Sequence, residues 1–271
     1  MSFPYKKVLV VGGTSGIGKA LAERMIKNGT QVVVVGRRKE NLDAFVEHHG
    51  KDKTSSYVFD ITKLDQIKTF AADITKSHPD IDSVFLNSGV QRPFDFSKPE
   101  TIDLSTFDME LTTNYTSFIH LITAFLPHLQ KSQNQTSIIM TTSGLAVVPI
   151  TRCPGYCATK AALHSFIITL REQVKNGSGN IKIIELAPPA VQTELHDERH
   201  QPDIKNGASF GMPIDEFTNE AWEGLNSGKE EIAVGFAKNS YDAIEPKRQE
   251  IFQRILKMTQ SQREEHVKRG D

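Results

Sequence analysis

Short apolar runs and helically spaced apolar positions alternate along this chain. Val8-Leu9-Val10-Val11 and Val32-Val33-Val34-Val35 carry no polar interruption. A strand with one wet face alternates, whereas an unbroken run suits a strand covered on both sides, as in a parallel sheet. Between these two runs, Ile17, Leu21 and Met25 recur at helical spacing, and Gly29 is placed to end the helix. Strands are expected near residues 6–11, 31–35, 55–60, 83–86, 136–141, 181–186 and 231–235. Long helices are expected over 105–131 and 156–174, and a short one over 215–225. The pattern predicts a doubly wound α/β fold: a seven-stranded parallel sheet with helices on both faces. Ligands of such sheets bind at the carboxyl ends of the strands.

The first strand runs into Gly12-Gly13-Thr14-Ser15-Gly16-Ile17-Gly18, directly before the first helix. Strand, glycine turn and helix N-terminus form a Rossmann-type dinucleotide site. Glycines let the backbone approach a pyrophosphate, and the helix's free N–H groups receive its charge. The second strand ends in Gly36-Arg37-Arg38, and no acid appears before Glu40. An NAD site commonly has a carboxylate there for the ribose 2′-hydroxyl, whereas guanidinium groups suit a 2′-phosphate. NADP(H) is therefore favoured over NAD(H). Five expected strand ends, marked by Gly12, Asp60, Asn87, Ser143 and Pro188, converge on one crevice.

Tyr156 and Lys160 fall at i and i+4, on one face of an expected helix and about 5–6 Å apart at Cβ. A free phenol, with a pKa near ~10, is a poor proton carrier at neutral pH, and a nearby cation favours its phenolate. Ser143, at the end of the fifth strand, is placed to hydrogen-bond the substrate oxygen that the tyrosine protonates. Tyr-x-x-x-Lys alone is a weak motif; it gains weight from the glycine turn upstream.

Together these residues resemble the short-chain dehydrogenases/reductases, over Lys7 to about Thr193. The resemblance implies that Ser143, Tyr156, Lys160 and Asn114 are catalytic, Asn114 holding a water in the proton relay. It implies that Gly12, Thr14, Ser15, Gly16, Ile17, Gly18, Arg37, Arg38, Asp60, Ile61, Asn87, Ser88, Gly89, Tyr156, Lys160, Pro188, Val191 and Thr193 bind the cofactor. Asp60 would cap the adenine, and Thr193 would bond the carboxamide. Leu86-Asn87-Ser88-Gly89 stands where the family has Asn-Asn-Ala-Gly, and Val11 where threonine is usual. Pro189 replaces a glycine of the nicotinamide loop, fixing φ and removing an N–H. The Asp-Gly-Gly that often follows the seventh strand is missing. Leu145, Val148, Cys153 and Pro189 are expected in the substrate pocket. The activity implied is hydride transfer between nicotinamide and a carbonyl or secondary alcohol, in a homodimer or homotetramer.

Composition narrows the field. A chain of 271 residues can bury a large core. It is read as one domain, 1–271, with a substrate lid about 194–225 and a charged helical extension about 245–269. A net charge of −1 argues against a nucleic-acid partner. Two cysteines make no disulfide framework, and no His/Cys set at ligand spacing points to a metal. No apolar run reaches the roughly 18–20 residues of a membrane span, and the first residues lack an apolar signal core. A cytoplasmic location follows as the expectation. Two further readings stay open: a non-catalytic NADP(H)-binding redox sensor, and an epimerase or dehydratase, for which few residues remain after Thr193.

Overall fold

The computed structural model describes residues 3–269, with side chains to 260 except that of Ala208. Met1, Ser2, Gly270 and Asp271, the ends of the expected domain and of the segment read for a signal core, lie outside the described residues. Strands β1 (Lys7–Val11), β2 (Gln31–Gly36), β3 (Thr54–Val58), β4 (Ser83–Leu86), β5 (Thr136–Thr141), β6 (Ile181–Ala187) and β7 (Glu231–Ala233) form one sheet. Its order is β3-β2-β1-β4-β5-β6-β7, and every pair is parallel. Helices α1 (Gly16–Lys27), α2 (Lys39–His49) and α3 (Ile67–Ser77) belong to the first half. They are followed by α4 (Leu104–Leu111), α5 (Ser117–Gln130), α6 (Pro154–Lys175), α7 (Ile214–Asn226) and α8 (Ala237–Arg269).

The period of two along each strand divides the core. Leu9, Val11, Val33 and Val35 face α3, α5 and α6 on one side, through Phe70, Phe118, Phe125 and Leu163. Val8, Val10, Val32 and Val34 face α1, α2 and α7 on the other, through Leu21, Leu42, Phe217 and Trp222. Both faces are covered, which is why these runs lack polar interruptions. Phe85 is fully buried, so its truncation to alanine should cost about 3–5 kcal/mol.

Three departures from the expected elements bear on the site. Strand β3 ends at Val58, so Asp60 stands in the following loop. The helix expected over 105–131 is broken by a π turn, Thr112–Thr116, between α4 and α5. Helix α8 begins at Ala237, earlier than the 245 expected, so its first turns belong to the body of the protein. Among the described residues no helix is long and apolar enough to cross a membrane.

Candidate active site

A cavity of about 830 Å³ opens along the carboxyl ends of the strands. Its nucleotide end is built from backbone. Gly12 and Gly16 have φ of +84° and +53°, a region in which side chains are strained. A Cβ on Gly18 would lie 2.1 Å from the Gly12 carbonyl oxygen, so the turn can pack onto α1 only through glycine. Asn87 fixes this turn: its Nδ2 donates to Gly12 O at 3.3 Å, while its Oδ1 accepts from Thr141 Oγ1 at 2.9 Å. Thr14, Ser15, Gly16, Ile17, Asp60, Ile61, Ser88 and Gly89 line the same end. Asp60 turns inward on itself, its Oδ1 accepting from Thr62 N and Oγ1 at 3.0 and 2.8 Å. A cradle that a Cβ would fill and the uncapped N–H groups at the start of α1 fit a dinucleotide.

Arg37 and Arg38 both line this end, but differently. Arg38 donates to Glu194 Oε2 at 2.9 Å and to Ser15 Oγ at 2.8 Å. No partner engages the Arg37 guanidinium among the described residues. Glu194 was not anticipated. It lies far from Arg38 in sequence, and nothing before folding places a carboxylate there.

The catalytic candidates meet at the centre of the cavity. Ser143, five per cent exposed, and Tyr156, six per cent exposed, both line the cavity, and the serine hydroxyl is near enough to act on the phenol's proton affinity. The Ser143 Oγ also accepts from Leu145 N at 3.1 Å, which orients the hydroxyl. Lys160 is fully buried behind them. Its Nζ donates to Thr141 O at 2.8 Å and lies 5.6 Å from the Tyr156 ring centre. Pro154 starts α6 at a position where a missing N–H costs nothing.

The electrostatics depart from the expected pairing. Burial pushes the Tyr156 phenol well above its ordinary range, and the nearby Ser143 hydroxyl opposes this only in part. Burial also lowers Lys160 to about 8, with Glu110 pulling it back up. Desolvation is the largest cause for both groups. Burial thus favours the protonated form of the Tyr156 phenol.

Asn114 lies in the π turn, fully buried. Its Oδ1 accepts from Val90 N at 2.9 Å, and its Nδ2 donates to Val90 O and Thr159 Oγ1 at 2.8 and 3.2 Å. The amide is thus fixed by Val90 and Thr159, with one bond accepted at Oδ1, whose second lone pair is left for a further donor. The π turn itself breaks the regular helical ladder beside Lys160, a feature common at functional sites.

Glu110, on α4, was also missed. It is fully buried; its Oε1 accepts from Arg92 N at 2.8 Å, and its Oε2 has no partner. A Cβ on Gly155 would sit 2.5 Å from that Oε2, so the carboxyl presses on the first turn of α6. Burial raises it to about 7. An acid in a helix face that must be buried was the available signal.

At the substrate end, Leu145, Val148, Pro188, Pro189, Val191 and Thr193 line the cavity. Cys153, expected there, does not. It is fully buried and backs Tyr156 together with Cys157, because as the N-cap of α6 it points beneath the tyrosine. Val148, Ile150, Phe210 and Phe236 form an exposed apolar rim, Phe236 being 80% exposed. The segment from Glu194 to Phe210 is tied down rather than loose. Arg152 grips both Asp203 carboxylate oxygens at 2.6 Å, and the buried Gln201 donates to Gln91 Oε1 at 3.1 Å. Pro189 packs near Gly235, and the loop after it pairs with Met212 through Val191. A loop braced on both sides can accept a proline in place of glycine. Thr193 lies against the glycine turn, its methyl carbon 3.2 Å from where a Cβ on Gly16 would be.

The model of the short chain dehydrogenase family matches residues 6–203. An uncharacterised oxidoreductase of Bacillus subtilis (strain 168), DltE, is 33% identical over 256 residues, covering 94% of this chain and 98% of that one. A short-chain dehydrogenase/reductase of Burkholderia phymatum, solved with NAD, superposes with a TM-score of 0.77 at 18% identity, over 90% of this chain and 92% of the other. One from Burkholderia cenocepacia J2315, solved with NADP, gives 0.74 at 23% identity, over 94% and 99%. With a matching family model over most of its length and a full-length relative at this identity, the chain belongs to the short-chain dehydrogenase/reductase family of oxidoreductases.

Proposed function

We propose that the protein is an NADP(H)-dependent carbonyl reductase or alcohol dehydrogenase acting on a moderately hydrophobic, uncharged ketone or secondary alcohol. The observation that carries this reading is the buried pair Ser143 and Tyr156, set with Lys160 in one cavity with the glycine turn. A pure nucleotide binder has no use for a buried serine and phenol at the centre of its pocket.

When bound, the nicotinamide dinucleotide supplies or accepts the hydride. Ser143 Oγ holds the substrate oxygen in place. Tyr156 Oη, kept protonated by burial, donates to that oxygen as it gains charge, and an alkoxide is basic enough to take the proton. Lys160 Nζ, anchored on Thr141 O, stands ready for the cofactor's ribose and for proton exchange below the tyrosine. The Gly12–Gly18 turn receives the pyrophosphate, with Asn87 bracing it. The apolar rim of Val148, Ile150, Phe210 and Phe236 favours a substrate with an apolar body.

Solved relatives carry NAD in one case and NADP in the other, so the choice falls to the pocket. The unengaged Arg37 guanidinium beside Gly36 supports NADP(H). Arg37→Ala should then reduce the preference for NADPH over NADH about tenfold, the scale of one lost charge-assisted bond. An unchanged ratio of kcat/KM for the two cofactors would refute that assignment. We place the enzyme in the cytoplasm as a homodimer or homotetramer, which sedimentation of the purified protein checks. The activity itself is tested by following NADPH absorbance against ketones and aldehydes of graded size. Tight NADPH binding with no turnover on any of them would sink the catalytic reading.

A further inference from the structure

Strand β6 should be apolar throughout its buried part, yet Glu185 interrupts it and is fully buried. Its Oε1 accepts from Thr142 Oγ1 at 2.6 Å, Tyr241 Oη at 2.7 Å and His164 Nδ1 at 2.9 Å. The other ring nitrogen of His164, Nε2, faces Glu245 Oε1 at 3.0 Å. Arg248 reaches the same oxygen from the surface at 2.9 Å. His164 is one per cent exposed, and Tyr241 and Glu245 are four per cent exposed each. An imidazole with a carboxylate at each nitrogen must donate from both, which requires the imidazolium.

Four elements meet in this cluster. Glu185 belongs to β6, His164 to the catalytic helix α6 one turn past Lys160, and Tyr241, Glu245 and Arg248 to α8. Thr142 immediately precedes Ser143. The start of α8 is also a wall of the cavity: Phe236, Ala237 and Ser240 line it. A Cβ on Gly144 would lie 2.7 Å from the Ala237 side chain, so α8 is seated directly on the Ser143 loop. Pro246 lies inside α8 and has no N–H to bond one turn back, which weakens the helix beside Glu245. Side-chain ties are needed there more than elsewhere.

We infer that His164, Glu185 and Glu245, with Tyr241, form a buried charged clamp that seats the start of α8 on the Ser143 loop and so shapes the substrate side of the pocket, leaving the cofactor side untouched. His164 and its partners are positioning residues; none of them lines the cavity. The charges balance, since two carboxylates face one imidazolium and the Arg248 guanidinium. Removing the cation would strand two buried carboxylates, whereas a pair kept whole is tolerated.

Burial alone would lower the His164 pKa, but hydrogen bonds and attraction from Glu185 and Glu245 hold it up to about 9. The folded value is above the ordinary one near ~6.5. The clamp's contribution is therefore complete below that value and is lost as pH rises through about 9. Glu185, Glu245, Tyr241 and Arg248 are the charged or titratable groups that surround the ring.

The test combines amide exchange with kinetics on the full chain, at constant pH near neutrality. Tyr241→Phe keeps every charge and removes one tie from α8 to Glu185. Glu245→Gln removes the carboxylate at the α8 end, and His164→Gln removes the cation. Exchange over residues 237–248 should rise about fivefold or more in each folded variant, with β1 and α1 unchanged. KM for a carbonyl substrate should rise about five- to tenfold, while kcat and the NADPH Kd stay within about twofold. If His164→Gln does not fold, the charge-neutral Tyr241→Phe decides. Folded variants with a lowered melting temperature but unchanged KM would overturn the inference, leaving the cluster merely structural. A KM that rises only in step with the NADPH Kd would overturn it too. The kinetic arm rests on the carbonyl reading; the exchange arm needs no substrate, so failure of that reading and failure of the clamp are told apart.

Discussion

The two ends of the cavity are made of different material. The nucleotide end is backbone: Gly12, Gly16 and Gly18 bring main chain close, and Asn87 ties it to Thr141. The substrate end is side chains from distant elements, with Arg152 gripping Asp203 and Gln201 meeting Gln91, and His164 bridging Glu185 and Glu245 behind its α8 wall. A backbone cradle has few solutions and needs glycine at fixed spacing. A side-chain wall has many, each depending on partners far along the chain. The first end can be shared across a family with varied substrates, and the second can vary without disturbing it.

Substitutions that should act at one end and not the other put this contrast at risk. The largest effect is expected from Tyr156→Phe, which removes the proposed proton donor but little volume. Turnover should fall by about 10²–10⁴-fold, with the NADPH Kd within about twofold by fluorescence titration. Full turnover would break the mechanism. Gly18→Ala comes next. Its Cβ would meet the Gly12 carbonyl at 2.1 Å, so the turn must open, and NADPH affinity should fall by about 10–100-fold. Calorimetric titration that finds wild-type affinity would show the cradle to be less constrained than its geometry implies. Arg152→Gln should act at the other end, raising KM for the carbonyl about three- to tenfold through the freed 194–210 segment. The pair is partly exposed, which keeps the effect modest. A matching loss of cofactor affinity would show that the two ends are not separable.

The same contrast decides what could be read before folding. Strands β1 and β2 follow from unbroken apolar runs, because covering both faces demands them; the order of the strands was not read from the sequence. The glycine turn, Ser143, Tyr156 and Lys160 announce themselves by residue type and spacing, whereas Asn87 stood out only through the family resemblance. Cys153 misled because its place beside Tyr156 in sequence says nothing of which way an N-cap points. Glu194 beside Arg38, Arg152 on Asp203 and the α8 wall were out of reach, since each is a long-range pairing of surface-type residues. Glu110 and Glu185 lay between. An acid in a segment that must be buried flags a partner, but does not name it.

Glu110 offers the smallest effect and the finest distinction. Its folded pKa, about 7, is above the ordinary carboxyl value because of burial. Holding it neutral therefore helps the folded state at low pH, and a penalty accumulates as pH rises through about 7. Glu110→Gln has no charge to bury, so its stability relative to the wild type should climb between about pH 4.5 and 7 and then level off. A gain of about 1–3 kcal/mol at pH 8 is the scale, read from denaturant midpoints. The same carboxylate lifts Lys160, which burial lowers to about 8. Without it the lysine should lose its proton at lower pH, so the alkaline fall in NADPH affinity should begin earlier. A variant that is more stable yet loses cofactor affinity sooner with pH would mean that Glu110 costs the fold stability and keeps Lys160 charged. If stability rises and the affinity profile stays put, the carboxyl acts on the packing of α6 alone, and Lys160 depends on the backbone of Thr141 for its place.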